Sequence, residues 1–362
     1  MHIIELMGMS STKYGGLEKY NIELVKICSK HIYHFVYDTM PENQNYCIDI
    51  KKNGAFLHIL PHAGKLLNIT KYILHLVALY RIDIIHFHFK YYAIAPIIKI
   101  LHPHIKLIVT YHCEIKYFNI FRVIERKFYK LFFNNILCVS NGVKDSAIKI
   151  LGNSSKYQVL YLGCKNGGIT NSHLKKELSI SNECIILTTI GFDFQIKGID
   201  ILIESIKILK EKTRVHSFKV LIVGFNDINS QKLISILKKY GLSDTFISLG
   251  IRNDIDNILN ITDIYLQPSR SEGISLSIME ALNHGIPVIG SNVGGIPEVV
   301  IDNYNGLLFS MGNALELSEK IELLLNDINL RKSFGEKSKI LSSKFNIYES
   351  IKKLSSLYNS YK

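Results

Sequence analysis

Apolar runs of strand length alternate with helix-period stretches along this 362-residue chain. Runs at 2–7, 32–38, 56–60, 82–87, 106–111 and 135–139 read as buried parallel strands. Helical spacing occupies 17–30, 66–80, 92–101 and 119–133 between them. After a polar break at 159–182 the rhythm resumes, with strands at 185–190, 219–224, 246–250 and 263–267 and helices from about 200, at 276–284 and from about 314. This alternation predicts an α/β fold of doubly wound, Rossmann-like domains. The chain is longer than one core comfortably fills, so the break divides it into domains at 1–165 and 166–343.

One stretch, S-R-S-E-G-I-S-L-S-I-M-E-A at 269–281, stands out for its chemistry. Ser275 is a good N-cap, Leu276, Ile278, Met279 and Leu282 supply an apolar side, and Gly285 with Pro287 marks the stop. The predicted helix is roughly 13 Å long at 1.5 Å per residue. Glu272 lies in the loop ahead of its N-terminus and Glu280 about a turn inside it. First-turn N–H groups and the positive end of the dipole lie between the two carboxylates. A ligand with hydroxyls at both ends and phosphates in the middle suits that arrangement. A bare glutamate pair would otherwise read as a solvated helix face.

Composition narrows the class. No apolar stretch reaches the ~18 residues of a membrane span, and Glu5 breaks the apolar start, which argues against a signal peptide. Six cysteines without C-x-x-C spacing fit a reduced, cytosolic compartment. The net charge of +12 is one-sided. Residues 1–177 hold 23 Lys+Arg against 11 Asp+Glu, the remainder 20 against 20, and 12 of the 14 histidines lie in the first part. An anionic partner there follows. No nucleic-acid motif accompanies the charge, so an anionic membrane surface or a phosphate-bearing lipid is the expectation. Arg122, Arg126 and Lys130, with Lys127 beside them, form a cationic stripe on the 119–133 helix, against Phe121, Ile124, Phe128, Leu131 and Phe132. That pattern fits either a core-facing helix with a charged outer face or a membrane-surface helix.

The run Q-P-S-R-S-E-G at 267–273, E-A-L at 280–282, G-I-P-V-I at 285–289 and V-G-G-I-P-E-V at 293–299 resembles the donor-site block of retaining glycosyltransferases of family 4. The resemblance implies the GT-B fold, two Rossmann-like domains facing across a cleft, with a final segment, 344–362, whose helix returns to the first domain. It implies metal-independent hexosyl transfer from a nucleotide sugar, a UDP-sugar above all, to a saccharide or lipid-linked saccharide acceptor, as in capsule, O-antigen or glycolipid assembly, and no cofactor. G-G-x-E from Gly15 to Glu18 resembles the family's N-terminal loop, which approaches the donor diphosphate; the G-x-G-x-x-G of dinucleotide sites is absent. Thr110-Tyr111-His112 resembles the family's T-x-H, whose histidine contacts the transferred sugar. Lys197 in the segment 191–198 matches the lysine that neutralises the diphosphate, while Phe192 stands where arginine is common. The implied assignments are Lys197, Gly15, Gly16, Arg270 and the 276–284 helix N-terminus for diphosphate, Glu272 with Gly273, Ile274, Ser275 and His112 for the sugar, Leu276 among the donor contacts, and Glu280 for the ribose.

Two metal patterns compete weakly with this reading. His86-x-His88 would place both rings on one strand face as a zinc pair does, but no third ligand is evident in the sequence. Asp254-x-Asp256 has the form of a metal–diphosphate motif, and its place ahead of a short helix reads as a surface cap. The rival functions are a nucleotide-sugar epimerase of the same fold and a binding protein without turnover.

Overall fold

The computed structural model describes residues 1–11, 15–61, 65–116, 119–165, 167–168, 173–212 and 217–362. Thr12, Lys13 and Tyr14 of the first glycine loop, Phe118 and the hinge residue Asn166 lie outside these. The chain forms two compact units, one of Met1–Gly163 with Ile347–Lys362, the other of Cys164–Asn346.

The first unit is built on seven strands, β1 His2–Leu6, β2 Ile32–Tyr37, β3 Phe56–Ile59, β4 Ile84–Phe87, β5 Lys106–Tyr111, β6 Asn135–Cys138 and β7 Tyr157–Val159. All pair in parallel, in the order β3-β2-β1-β4-β5-β6-β7. Helices α1 Gly16–Ile27, α2 Gln44–Lys52, α3 Leu66–Tyr80, α4 Ala95–Leu101, α5 Ile120–Lys130 and α6 Asn141–Leu151 connect them. Consecutive strand residues such as Ile3 and Ile4, Phe35 and Val36, or Leu107, Ile108 and Val109 are all buried. A parallel sheet covered on both faces produces that continuity, which is why its strands read as unbroken apolar runs.

The second unit has six parallel strands, β8 Ile185–Ile190, β9 Phe218–Val223, β10 Phe246–Gly250, β11 Ile264–Gln267, β12 Val288–Ser291 and β13 Gly306–Phe309, ordered β10-β9-β8-β11-β12-β13. Its helices are α7 Leu174–Glu177, α8 Ile199–Lys212, α9 Asp227–Lys239, α10 Ile255–Asn260, α11 Leu276–Asn283, α12 Ile296–Val299, α13 Ala314–Asn326 and α14 Ile328–Ser342. A core of Leu187, Val220, Ile222, Leu266 and Phe309 with Leu202, Ile203 and Ile206 of α8 fills one side of the sheet. The last helix, α15 Ile347–Asn359, belongs to the first unit. It buries Ile347, Ile351, Leu354 and Tyr358 along one face, and the Ser350 hydroxyl donates to the Tyr161 carbonyl at 2.6 Å.

In the first unit, helices α2 and α6 and strand β7 are absent from the sequence expectation. Both helices start on a side-chain cap, Asn43 accepting from the Tyr46 N–H and Ser140 from the Val143 N–H. Those caps were the available signal, since the apolar stripes behind them are short.

The concentration of histidine in the first part has a structural counterpart. His34 is fully buried on β2, with Nε2 3.1 Å from His2 Nδ1 and Nδ1 3.0 Å from His58 Nε2, and its ring stacks on Phe56. Burial, reinforced by His58 and His2, holds its pKa down to about 3. The unfolded chain therefore binds a proton between about pH 6.5 and 3 that the folded chain refuses, and stability falls as pH drops through that window. The slope is at most about 1.4 kcal/mol per pH unit for one proton. Urea unfolding at pH 7, 6 and 5 should show a falling midpoint, with the slope reduced in His34→Gln; an unchanged slope would mean that His34 does not carry the effect.

Candidate active site

In each sheet the strand order reverses once, between β1 and β4 in the first unit and between β8 and β11 in the second. Loops leaving the carboxyl ends of strands at such a reversal diverge and leave a crevice. The sequence-selected residues of the second unit lie on those loops. Lys197 follows β8, Glu272 follows β11, and Lys197 Nζ donates to Glu272 Oε2 at 2.7 Å with both side chains about six-sevenths covered. Gln267 Nε2 also donates to that oxygen at 3.2 Å, and the Ser269 hydroxyl lies 3.5 Å away.

Two glycines make this approach physically available. Gly198 has φ +65°, and a Cβ there would lie 1.9 Å from the Pro268 carbonyl oxygen. Gly294 has φ +54°, and a Cβ would lie 1.7 Å from the Glu272 carbonyl oxygen. Any side chain at either position would push the Lys197 or Glu272 loop away. This gives K-G and V-G-G their mechanical meaning.

Helix α11 begins where Ser275 caps it, the hydroxyl accepting from the Ile278 N–H at 3.3 Å, and Gly285 follows its end at φ +70°. The first-turn amides of Leu276 and Ser277 have no intrahelical acceptor. Gly273, Ile274 and Ser275 are buried, while Leu276 and Glu280 are half-buried. The loop and the helix thus bring Glu272, Lys197 and the α11 N-terminus together, with Glu280 one turn into the helix.

Arg270, the Asp254-x-Asp256 pair and Phe192 each have an engagement of their own. Arg270 forms a two-pronged pair with Asp200, Nη1 to Oδ1 at 2.7 Å and Nη2 to Oδ2 at 2.6 Å, and Nη1 also donates to the Gln195 carbonyl at 2.8 Å. Burial pushes the Asp200 carboxyl up, but the guanidinium outweighs it and the net shift is downward. Arg270 therefore clamps the β11 loop to α8 rather than standing open as a diphosphate cation. Asp254 occupies the N-cap position of α10 but makes no capping bond; Arg252 holds both its oxygens at 2.7 Å. Asp256 lies 2.9 Å from His284 Nε2. Phe192 is exposed, its carbonyl accepting from Asn229 Nδ2 at 3.1 Å.

In the first unit, Gly15 caps α1 and Gly16 opens it, but the Gly15 N–H donates to the Glu18 carboxylate at 3.0 Å. The Ser11 hydroxyl donates to the other oxygen of Glu18 at 2.7 Å. The glutamate of G-G-x-E is thus a capping residue, and the Gly15 amide is already engaged. His112 follows β5, half-buried, its ring stacked on Phe89 at 4.5 Å. It lines a pocket of ≈ 140 Å³ with His88, Tyr92, Glu114 and Arg126.

His86 and His88 acquire the third neighbour that sequence spacing does not show. Glu5 pairs with His86 in the β1–β4 register, and its Oε2 lies 3.3 Å from His86 Nδ1 and 2.8 Å from His88 Nε2. Among the described residues these three form a group close enough to hold a metal ion. Their ring and carboxylate atoms already have partners: Glu5 Oε2 is bonded to His88, Tyr358 Oη is 2.6 Å from His86 Nδ1 and 2.8 Å from Glu5 Oε1, and Thr110 Oγ1 is 2.7 Å from His86 Nε2.

Helix α5 does not turn its apolar side to the core, and its cationic residues do not all stand free. Its apolar side faces outward, with Phe121 76%, Ile124 58%, Phe128 50% and the following Leu131 65% exposed, and of the helix only Val123 is buried. The cationic stripe is divided. Arg122 and Lys127 are exposed, Arg126 is half-buried, and Lys130 donates to the carbonyls of Leu151 and Gly152 at 2.8 and 3.0 Å, closing the C-terminus of α6. A groove of ≈ 900 Å³ beside α5 is lined by Ile120, Val123 and Ile150 together with Lys116, Lys127 and Lys149 and the acidic Glu114 and Asp145. Among the described residues no helix is long and apolar enough to cross a membrane.

Comparison with known proteins gives two family matches, Glycosyltransferase Family 4 over residues 14–165 and Glycosyl transferases group 1 over residues 171–340. An uncharacterised glycosyltransferase of Methanocaldococcus jannaschii is 29% identical over 91% of this chain and 90% of its own length. The N,N'-diacetylbacillosaminyl-diphospho-undecaprenol alpha-1,3-N-acetylgalactosaminyltransferase of Campylobacter jejuni is 35% identical over 43% of this chain and 39% of its own. The Anabaena protein HepE, solved in complex with UDP-glucose, superposes with a TM-score of 0.85 at 18% identity, covering 99% of this chain and 100% of that one.

Proposed function

Because the chain belongs to the family 4 glycosyltransferases and has their GT-B fold, we propose that it moves a sugar from a nucleotide donor, a UDP-sugar first, to a saccharide or lipid-linked saccharide, with retention of anomeric configuration. The observation that carries the reading is the Lys197–Glu272 pair beside the N-terminus of α11, at the strand-order reversal of the second unit. The HepE complex with UDP-glucose favours a uridine donor, and the Campylobacter relative favours a lipid-linked acceptor.

An ammonium group has three donors. Lys197 gives one to Glu272 and keeps the others for diphosphate oxygens, joined by the α11 dipole and its first-turn amides. Glu272 accepts from hydroxyls of the transferred sugar, and Glu280 accepts from the ribose. From the first unit, His112 is assigned to the donor sugar and Gly16, with Gly15 sharing its amide, to the diphosphate. The bond from anomeric carbon to phosphate oxygen breaks as the acceptor oxygen bonds to the same face of that carbon. The departing phosphate oxygen takes the acceptor proton. Preorganised charge, rather than a covalent nucleophile, then lowers the barrier.

Metal independence is part of this proposal. Asp254 and Asp256 are engaged by Arg252 and His284, Glu5 and His88 by each other, and His86 by Tyr358 and Thr110. A thermal-shift screen tests the reading. At a hundredfold excess over Kd the correct nucleoside diphosphate sugar stabilises by about 2.7 kcal/mol, a rise of roughly 5 °C or more, in EDTA as in its absence. A shift seen only with added Mn²⁺ or Mg²⁺ would overturn metal independence. No response to any nucleoside diphosphate would sink the donor assignment, and binding without turnover would favour a non-catalytic protein.

A further inference from the structure

The buried group around Glu5 is not used by the mechanism above, yet it runs directly to His112. We propose that Glu5 and His88 are positioning residues for sugar transfer: the series Glu5–His88–His112 holds His112 as the tautomer protonated on Nε2 and presents Nδ1 as a hydrogen-bond acceptor to a substrate hydroxyl. The proposal rests on the assignment of His112 to the donor sugar.

The geometry dictates the proton positions. Glu5 Oε2 is 2.8 Å from His88 Nε2, and His88 Nδ1 is 2.9 Å from His112 Nε2. An ionised carboxylate only accepts, so His88 donates from Nε2 and, as a neutral ring, accepts on Nδ1. His112 must then donate from Nε2. The flanking bonds fit the same assignment. Thr110 donates to His86 Nε2, His86 donates from Nδ1 to Tyr358, and the Tyr358 hydroxyl donates to Glu5 Oε1. Both ring nitrogens of His86 and of His88 are satisfied by this one arrangement. Among the described residues His112 Nδ1 makes no hydrogen bond. Stacking on Phe89 fixes the plane of the ring, and the bond to His88 fixes its rotation.

The electrostatics agree with the assignment. Burial pushes the Glu5 carboxyl up, but His86 and His88 outweigh it and lower the pKa to about 2. Burial, followed by the neighbouring rings, pushes His88 and His112 below the usual imidazole range. A neutral acceptor suits a transition state in which the sugar gains positive charge, whereas an imidazolium would oppose it.

The test combines nitrogen-15 NMR of histidine-labelled full-length protein with kinetics on the nucleotide sugar giving the largest thermal shift. In wild type, His112 identified by its loss in His112→Ala should carry its proton on Nε2 and show N–N coupling across the hydrogen bond to His88 Nδ1. Glu5→Gln can donate where glutamate only accepts. It should abolish or reverse that signature and lower kcat about 10–100-fold, with donor KM little changed. Thr110→Val removes a bond of the same buried group outside the series and serves as the folding control, with the His112 signature and kcat retained. A wild-type proton on His112 Nδ1, or no coupling, overturns the proposal. Equal losses of kcat in Glu5→Gln and Thr110→Val overturn it as well, since the group would then act only through stability. Full turnover by His112→Ala overturns the assignment on which it rests, and the NMR arm separates that failure from failure of the relay.

Discussion

Glu272→Gln is expected to cut turnover by about 10²–10³-fold while nucleoside diphosphate affinity stays the same or rises slightly. Glutamine keeps the shape and one acceptor, so the loop should hold, but it loses the charge aimed at the sugar. It also removes the anion beside Lys197, which lies 2.7 Å away, and leaves that ammonium more available to phosphate. Glu280→Gln should behave in the opposite way. Charged hydrogen bonds contribute about 1.5–3 kcal/mol each, so losing the ribose acceptor should weaken donor and free nucleoside diphosphate together, by about 10–100-fold. Calorimetric titration of both variants with nucleoside diphosphate, beside single-turnover kinetics, separates the roles. Equal losses of nucleotide affinity in the two would remove the division of labour between the carboxylates.

Wild-type protein is expected to co-sediment with anionic vesicles at low salt, to release partly at high salt and to ignore neutral vesicles. All the net positive charge lies in residues 1–177, and α5 offers Arg122 and Lys127 beside an exposed apolar row of Phe121, Ile124 and Phe128. Each cation near an anionic surface contributes ~1 kcal/mol within a Debye length. Each large apolar side chain entering the interface adds about 1–2 kcal/mol. Arg122→Gln with Lys127→Gln should therefore reduce partitioning by about 30-fold and flatten its salt dependence. Changing Phe121, Ile124 and Phe128 to serine should reduce it by at least about 100-fold. Lys130 is left intact because it closes the C-terminus of α6, and its removal would confound binding with stability. If both variants sediment as wild type does, α5 is not the lipid-facing element and the acceptor proposal loses its membrane support.

Local structure was largely legible in the order of residues. Strand β5 and helix α3 lie at the residues their apolar spacing marks, and α11 ends one residue before its predicted stop because Ser275 and Gly285 are encoded where caps act. The family followed from motifs that are contiguous in the chain. Their glycines became intelligible only in three dimensions, where Gly198 and Gly294 press against the carbonyls of Pro268 and Glu272. Other features were beyond a linear reading. The same amphipathic pattern on α5 describes an apolar side turned to the core or to solvent, and only packing decides between them. Arg270 resembled a free phosphate ligand until its pairing with Asp200, 70 residues away, engaged it.

Glu5 shows the limit most plainly. In the sequence it only interrupts an apolar run. In the fold it is the buried anion to which two histidines turn, because parallel strands must be joined by long crossovers. Residues that such a sheet brings into hydrogen-bond contact can be 83 positions apart in the chain, as Glu5 and His88 are. Periodicity reports a residue's own element and face; its partner across the sheet is set by strand order, and strand order is a property of the folded chain.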